Sequence, residues 1–191
     1  MNESASLAEL RTLSLSPTAW SKLRYFRELA DVEVGGVLVS APYDLMYIED
    51  VRLVRQKSSR FGTEIDRVGM NEFFAEMAAQ GLPEESYTRA FFCTHRDGDP
   101  ELMDRDEELL EHLLGEKTWS ILLNLTTGDR ASARMQFNVG PGADVDLSVR
   151  VAFHRPFLAG DHDAWKEEFD RNVELVAEPA LSPLQSASRR T

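Results

Sequence analysis

Apolar and polar positions switch between helical and strand periods along the chain, and the switches mark out its elements. Ser16-Pro17 reads as an N-cap and first helical position, and Ala19, Leu23, Phe26 and Ala30 recur at spacings of 4, 3 and 4. That predicts an amphipathic helix. Val32–Ser40 and Leu45–Val54 are β-rich runs around the break Ala41-Pro42-Tyr43-Asp44, which predicts a hairpin. Arg55–Arg60 is basic and poor in apolar side chains and is expected as an exposed loop. After Asp66 a second helix presents Met70, Phe73, Phe74 and Met77 on one face, with Gly81 just past its end. Arg89–Thr94 predicts a short strand leading into the loop Arg96–Leu102. A third helix starts at the capping-box spacing Asp104-x-x-Glu107 and offers Leu109, Leu110, Leu113 and Leu114 for burial. Three more strand-like runs follow, Thr118–Thr126, Arg130–Asn138 and Val145–Phe153, with turns at Thr127-Gly128-Asp129 and Gly140-Pro141-Gly142. A last helix, Asp161–Val176, carries Trp165, Phe169, Val173 and Val176.

This order predicts an α+β fold, a mixed sheet with helices packed on it. The organisation expected is a flexible stretch 1–9, one domain over 10–153, a C-terminal helical extension 154–176 and a disordered tail 177–191, the last rich in Ser, Ala and Pro.

Composition narrows the function classes. Across 191 residues, 21 Lys and Arg face 33 Asp and Glu, a net charge of −12. Nucleic acid is therefore not expected as a partner, because that binding depends on neutralising phosphates. No apolar run approaches the roughly 18 residues of a bilayer span, and MNESASLAEL lacks the basic-then-apolar start of a signal peptide. No membrane partner is expected. The single cysteine, Cys93, allows no intramolecular disulfide and fits a cytoplasmic location.

Candidate chemistry concentrates in residues 91–110, FFCTHRDGDPELMDRDEELL. Cys93 and His95 stand two apart on a predicted strand, so their side chains share a face. Asp106 follows eleven residues after His95, in the first turn of the third predicted helix. Thiolate, imidazole and carboxylate make a three-ligand set for zinc with a fourth position open. Each also has a plain reading: a buried thiol behaving as a small hydrophobe, a satisfied loop histidine, an acid answering a helix dipole. Glu33-Val34-Gly35-Gly36-Val37-Leu38 adds an acid at the head of an apolar strand, followed by two glycines of the kind that mark a close backbone approach or a bulge. An acid so placed is a candidate general base.

Together these residues resemble the JAMM (JAB/MPN) metallopeptidases, whose pattern is Glu-x-x-Gly-x-Leu, then much later His-x-His-Pro, with a Ser eight and an Asp eleven residues after the second His. Glu33, Gly36, Leu38, His95 and Asp106 fall on it, and the resemblance covers roughly residues 10–150. It implies a JAB/MPN-like mixed, curved β-sheet flanked by helices, like that of bacterial JAB-domain proteins associated with ubiquitin-like modifiers and their activating and conjugating enzymes. It also implies one zinc held by Cys93, His95 and Asp106, with Glu33 taking a proton from the attacking water. The implied reaction is hydrolysis of the amide or isopeptide bond after the C-terminal glycine of a ubiquitin-like protein.

Three positions depart from the pattern. Cys93 replaces the first His, Arg96 the Pro, and Met103 stands at the oxyanion-binding Ser. Cysteine keeps a good zinc ligand but lowers the net charge of the centre. Loss of an oxyanion donor costs about 10²–10³ in rate. Two functional classes follow: a slow zinc isopeptidase, or a catalytically inactive MPN-type module that binds a ubiquitin-like protein or a partner subunit. A cysteine hydrolase built on Cys93 and His95 fares worse, since reactive thiols favour helix N-termini or cationic surroundings and Cys93 lies in the apolar run RAFFC.

Overall fold

The computed structural model describes residues 11–60, 62–96, 117–140 and 143–176. Its first strand, β1 (Thr12–Leu15), precedes helix α1 (Pro17–Leu29). Ser16 caps α1 by accepting from Ala19 N–H at 3.0 Å while donating to the carbonyl of Glu49 at 3.1 Å. The hairpin β2 (Gly35–Ala41) and β3 (Asp44–Leu53) follows. Then come β4 (Gln56–Ser59), β5 (Gly62–Ile65), α2 (Arg67–Ala79) and the short α3 (Glu85–Thr88). Strands β6 (Ala90–Thr94), β7 (Trp119–Leu125), β8 (Ala131–Phe137) and β9 (Asp144–Val151) lead to α4 (His162–Asn172) and β10 (Val173–Leu175).

Seven strands close into a barrel in the order β1-β3-β2-β6-β7-β8-β9. This corrects the expected α+β arrangement of a JAB/MPN-like curved sheet flanked by helices. The residue-level cause is β1. It runs parallel to β3 on one side, through Ser14↔Tyr47 and Leu15↔Ile48, and parallel to β9 on the other, from Thr12↔Ser148 to Leu15↔Val151. Without those four residues, too few for alternation to register, the other six strands would form an open sheet with edges at β3 and β9; with them no edge remains.

Buried apolar residues from all seven strands meet inside the barrel, among them Leu13, Leu38, Ile48, Phe92, Leu123, Ala133 and Leu147. Ala19, Leu23 and Phe26 of α1 and Trp165 and Phe169 of α4 join the same cluster. A second cluster lies on the outer face of β2, β6 and β7, where Val37, Phe91 and Leu122 pack under Met70, Phe73 and Met77 of α2.

Two further expectations are corrected. Arg55–Arg60 is not an exposed loop: Gln56–Ser59 form β4, with Gln56 and Ser58 buried. The last helix ends at Asn172, and Val173–Leu175 turn into a strand parallel to β4, with Val173 opposite Gln56 and Glu174 opposite Lys57. Together with β5 these strands form a small sheet in the order β10-β4-β5. Residues 154–176 are tied to the barrel through Glu168, which accepts from Leu53 N–H at 2.7 Å and pairs with Lys22 at 2.8 Å. The third predicted helix, the 1–9 stretch and the 177–191 tail lie outside the described residues. Among the described residues no helix is long and apolar enough to cross a membrane.

Candidate functional site

The site is built where the head of β2 meets the tail of β6. These strands are antiparallel, with Gly36 opposite Phe92 and Gly35 opposite Cys93. A Cβ on Gly36 would lie 2.2 Å from the Arg52 carbonyl oxygen and 2.7 Å from the Phe92 ring, so only glycine lets the neighbouring strand and that ring approach so closely. Pairing continues past both strand ends. Thr94 N–H donates to the Val34 carbonyl at 2.8 Å, Val34 N–H donates to Thr94 Oγ1 at 2.9 Å, and His95 N–H donates to the Leu125 carbonyl at 2.9 Å.

This register carries Glu33 to His95 across 62 positions of sequence, with Glu33 Oε1 3.3 Å from His95 Nδ1. Both side chains are buried, at 8 % and 2 % exposure. The distance is at the long end for an N–H···O bond. A carboxylate against one ring nitrogen is also how proteins orient an imidazole whose other nitrogen serves as a ligand.

Cys93, on the same face as His95, is buried beside Phe91 and Leu122 in the outer apolar cluster. Its register neighbours are Gly35 on β2 and Asn124 on β7, and Asn124 in turn faces Ser132 on β8. The outer face of the barrel thus passes from the apolar cluster under α2, which includes Cys93, to polar at Asn124, His95 and Glu33. Asp106 and Met103 lie outside the described residues. Among the described residues no three His, Cys, Asp or Glu groups converge as a metal cage. Sulfur and imidazole are donor types that suit zinc, and Cys93 and His95 are the two predicted ligands that the described chain brings to this face.

Gln56, Ser59 and Thr63 support the site and escaped sequence reasoning. Gln56 is the foremost. Its carboxamide accepts from Gly35 N–H at 2.9 Å and donates to the Gly35 carbonyl at 2.7 Å and the Val54 carbonyl at 2.9 Å, imitating a neighbouring strand. Thr63 Oγ1 donates to its oxygen at 2.7 Å. Glu33 N–H donates to the Ser59 carbonyl at 2.8 Å, so both ends of β4 fix the backbone around Glu33. Arg96, at the family's proline position, donates to the last carbonyls of α1, Arg27 at 3.3 Å and Ala30 at 3.4 Å, and pairs with Asp31. A hydropathy reading misses Gln56 because β4 buries amide and hydroxyl side chains instead of apolar ones. The usable signal is charge alternation, with Lys57 exposed between buried Gln56 and Ser58.

A scan against protein-family models and a search of curated proteins found no match to this chain.

Proposed function

We propose that Glu33, Cys93, His95 and Asp106 form a JAMM-type zinc hydrolase site. Its reaction is cleavage of the amide or isopeptide bond after the C-terminal glycine of a ubiquitin-like protein, in deconjugation or precursor processing. The observation that carries this reading is the meeting of Glu33 and His95 at 3.3 Å in a buried setting, on the strand face that also bears Cys93. A buried acid and imidazole joined across 62 positions of sequence cost solvation that packing alone does not repay, which favours a working pair.

In this proposal Cys93, His95 and Asp106 hold the metal and Glu33 takes the proton of the attacking water and passes it to the leaving amine. Zinc, when bound, supplies Lewis-acid polarisation of the scissile carbonyl. Gln56 and Ser59 keep Glu33 at its station, and Thr94 locks the strand that carries His95. With Met103 at the oxyanion position, turnover is slow by about 10²–10³ relative to a site that has the donor. The setting proposed is cytoplasmic, where the Cys93 thiol stays reduced, in a pathway with activating and conjugating enzymes for the same modifier.

One observation favours the second reading, a non-catalytic module that binds a ubiquitin-like protein: Cys93 is 4 % exposed and packs among apolar side chains, as a thiol acting as a hydrophobe does. Turnover separates the two. The chain is incubated with ubiquitin joined through its C-terminal glycine to a fluorogenic aminocoumarin. The hydrolase reading expects slow release that falls at least about 10²-fold in Glu33→Gln. Release that Glu33→Gln leaves unchanged, or none above buffer, rejects it.

A further inference from the structure

A cavity of about 640 Å³ opens at the other end of α1, beside Ser16, Thr18 and Lys22. Along the helix it lies about 18 Å from the Ala30 carbonyl that Arg96 meets. Its volume is that of a ligand site, and its walls combine two chemistries. Phe157 and Leu158 stand 54 % and 81 % exposed at its rim, and Trp165 and Tyr47 line its depth.

Four carboxylates face two cations there. Lys22 is buried between Asp50 at 3.1 Å and Glu168 at 2.8 Å, and Arg52 lies 3.9 Å and 3.7 Å from the same two, so that pair is compensated. Glu49 and Asp161 are not: among the described residues each accepts only from a neutral group, the Tyr43 hydroxyl at 3.2 Å and Ala164 N–H at 3.0 Å. The second observation is Tyr47. It is 2 % exposed, and its hydroxyl has no hydrogen-bond partner among the described residues. Burial raises its pKa, so it persists as a neutral phenol that both donates and accepts. Arg155 sits over its ring, 4.1 Å from the centroid, and is itself paired with Asp44 at 2.7 Å. A buried hydroxyl left orphaned in this way is uncommon in native structures.

We propose that this cavity docks a segment of a partner protein presenting an arginine next to an apolar side chain. The guanidinium lies between Glu49 and Asp161 at the mouth of the cavity, and the apolar neighbour covers Phe157 and Leu158. Two uncompensated carboxylates beside exposed apolar surface select a basic, apolar segment over an acidic one. This docking stands apart from the hydrolytic reading and survives if that reading fails.

The test titrates the full ¹⁵N-labelled chain with the peptide Ac-Ala-Arg-Leu-Ala-NH₂ and follows amide shifts. Saturable shifts are expected at Thr18, Tyr47, Leu158 and the Trp165 indole. Glu49→Gln with Asp161→Asn, which keeps a capping side chain on α4, weakens binding about five- to ten-fold. Equal binding of the same peptide with Glu in place of Arg overturns the proposal, as does unchanged affinity in the double variant. Shifts that depend on protein concentration alone assign the surface to a second copy and overturn the partner. Shifts that include residues 177–191 assign it to the chain's own tail, with the same consequence.

Discussion

The inner and outer faces of β2, β6 and β7 belong to the same residues in alternation, yet they serve opposite ends. Inside, Leu38, Phe92 and Leu123 are buried in one apolar cluster that every barrel strand shares. Outside, Val37, Phe91, Leu122 and Cys93 repeat that chemistry only beneath α2, and beyond them Asn124, His95 and Glu33 replace it. The inner face is non-directional and tolerates repacking within its volume. The polar stretch of the outer face depends on particular atoms at particular distances. Shape comes from one face and the proposed chemistry from the other, and substitutions on the two should fail differently.

The largest contrast is expected between neighbours. Phe92 is 1 % exposed in the barrel interior, so Phe92→Ala should destabilise the chain by about 3–5 kcal/mol through cavity formation. Cys93→Ala, one residue along on the outer face, should cost about 1 kcal/mol and be felt in zinc retention. Urea unfolding of both variants measures this, and equal losses would erase the division between faces.

Gln56→Ala sharpens the comparison at intermediate size. It removes the partners of both Gly35 backbone groups in a buried place, and about 2–3 kcal/mol should be lost. Because Gly35 is two residues from Glu33, any hydrolytic rate should fall by more than the unfolded fraction explains. A rate that tracks only the folded fraction would make Gln56 a structural residue and nothing more.

How legible each face was follows from the same contrast. The α1 and α2 helices, the first with its Ser16 cap, and the strands β2, β3 and β6 to β9 could be read from the sequence because their buried positions are largely apolar. The spacing around Gly36 pointed correctly to a close approach, borne out by the 2.2 Å that a Cβ would leave. What escaped were short or polar elements. Thr12–Leu15 holds only two apolar positions, Leu13 and Leu15, yet it closes the barrel. Gln56–Ser59 buries polar side chains that satisfy one another, which hydropathy scores as exposed. Val173–Leu175 continues the apolar pattern of α4 yet pairs as a strand with β4. Of the proposed site, Glu33 and His95 come together, while Asp106 and Met103 lie outside the described residues.

The smallest expected effect concerns Asp66, which caps α2 on the outer side by accepting from Val68 N–H at 2.9 Å. Its hydrogen bond from Arg55, first, and that from the Val68 amide hold its carboxyl below the usual range. A depressed folded-state pKa means stability that is fully present above the unfolded value, about 3.9, and lost as pH falls through the lower folded value. Asp66→Asn keeps a capping oxygen without the titration. The wild-type advantage in urea midpoint should therefore be constant from pH 7 to about pH 4 and shrink below it. An advantage that grows on acidification would reverse the assigned sign.

The most direct test of the central claim, that Glu33, Cys93, His95 and Asp106 make a zinc site, is the zinc content of the full chain purified without chelators. About one equivalent per chain is predicted for the wild type and for Glu33→Gln, with less than about a tenth in His95→Ala. A wild-type content below about a tenth of an equivalent, or one that His95→Ala leaves unchanged, would contradict it.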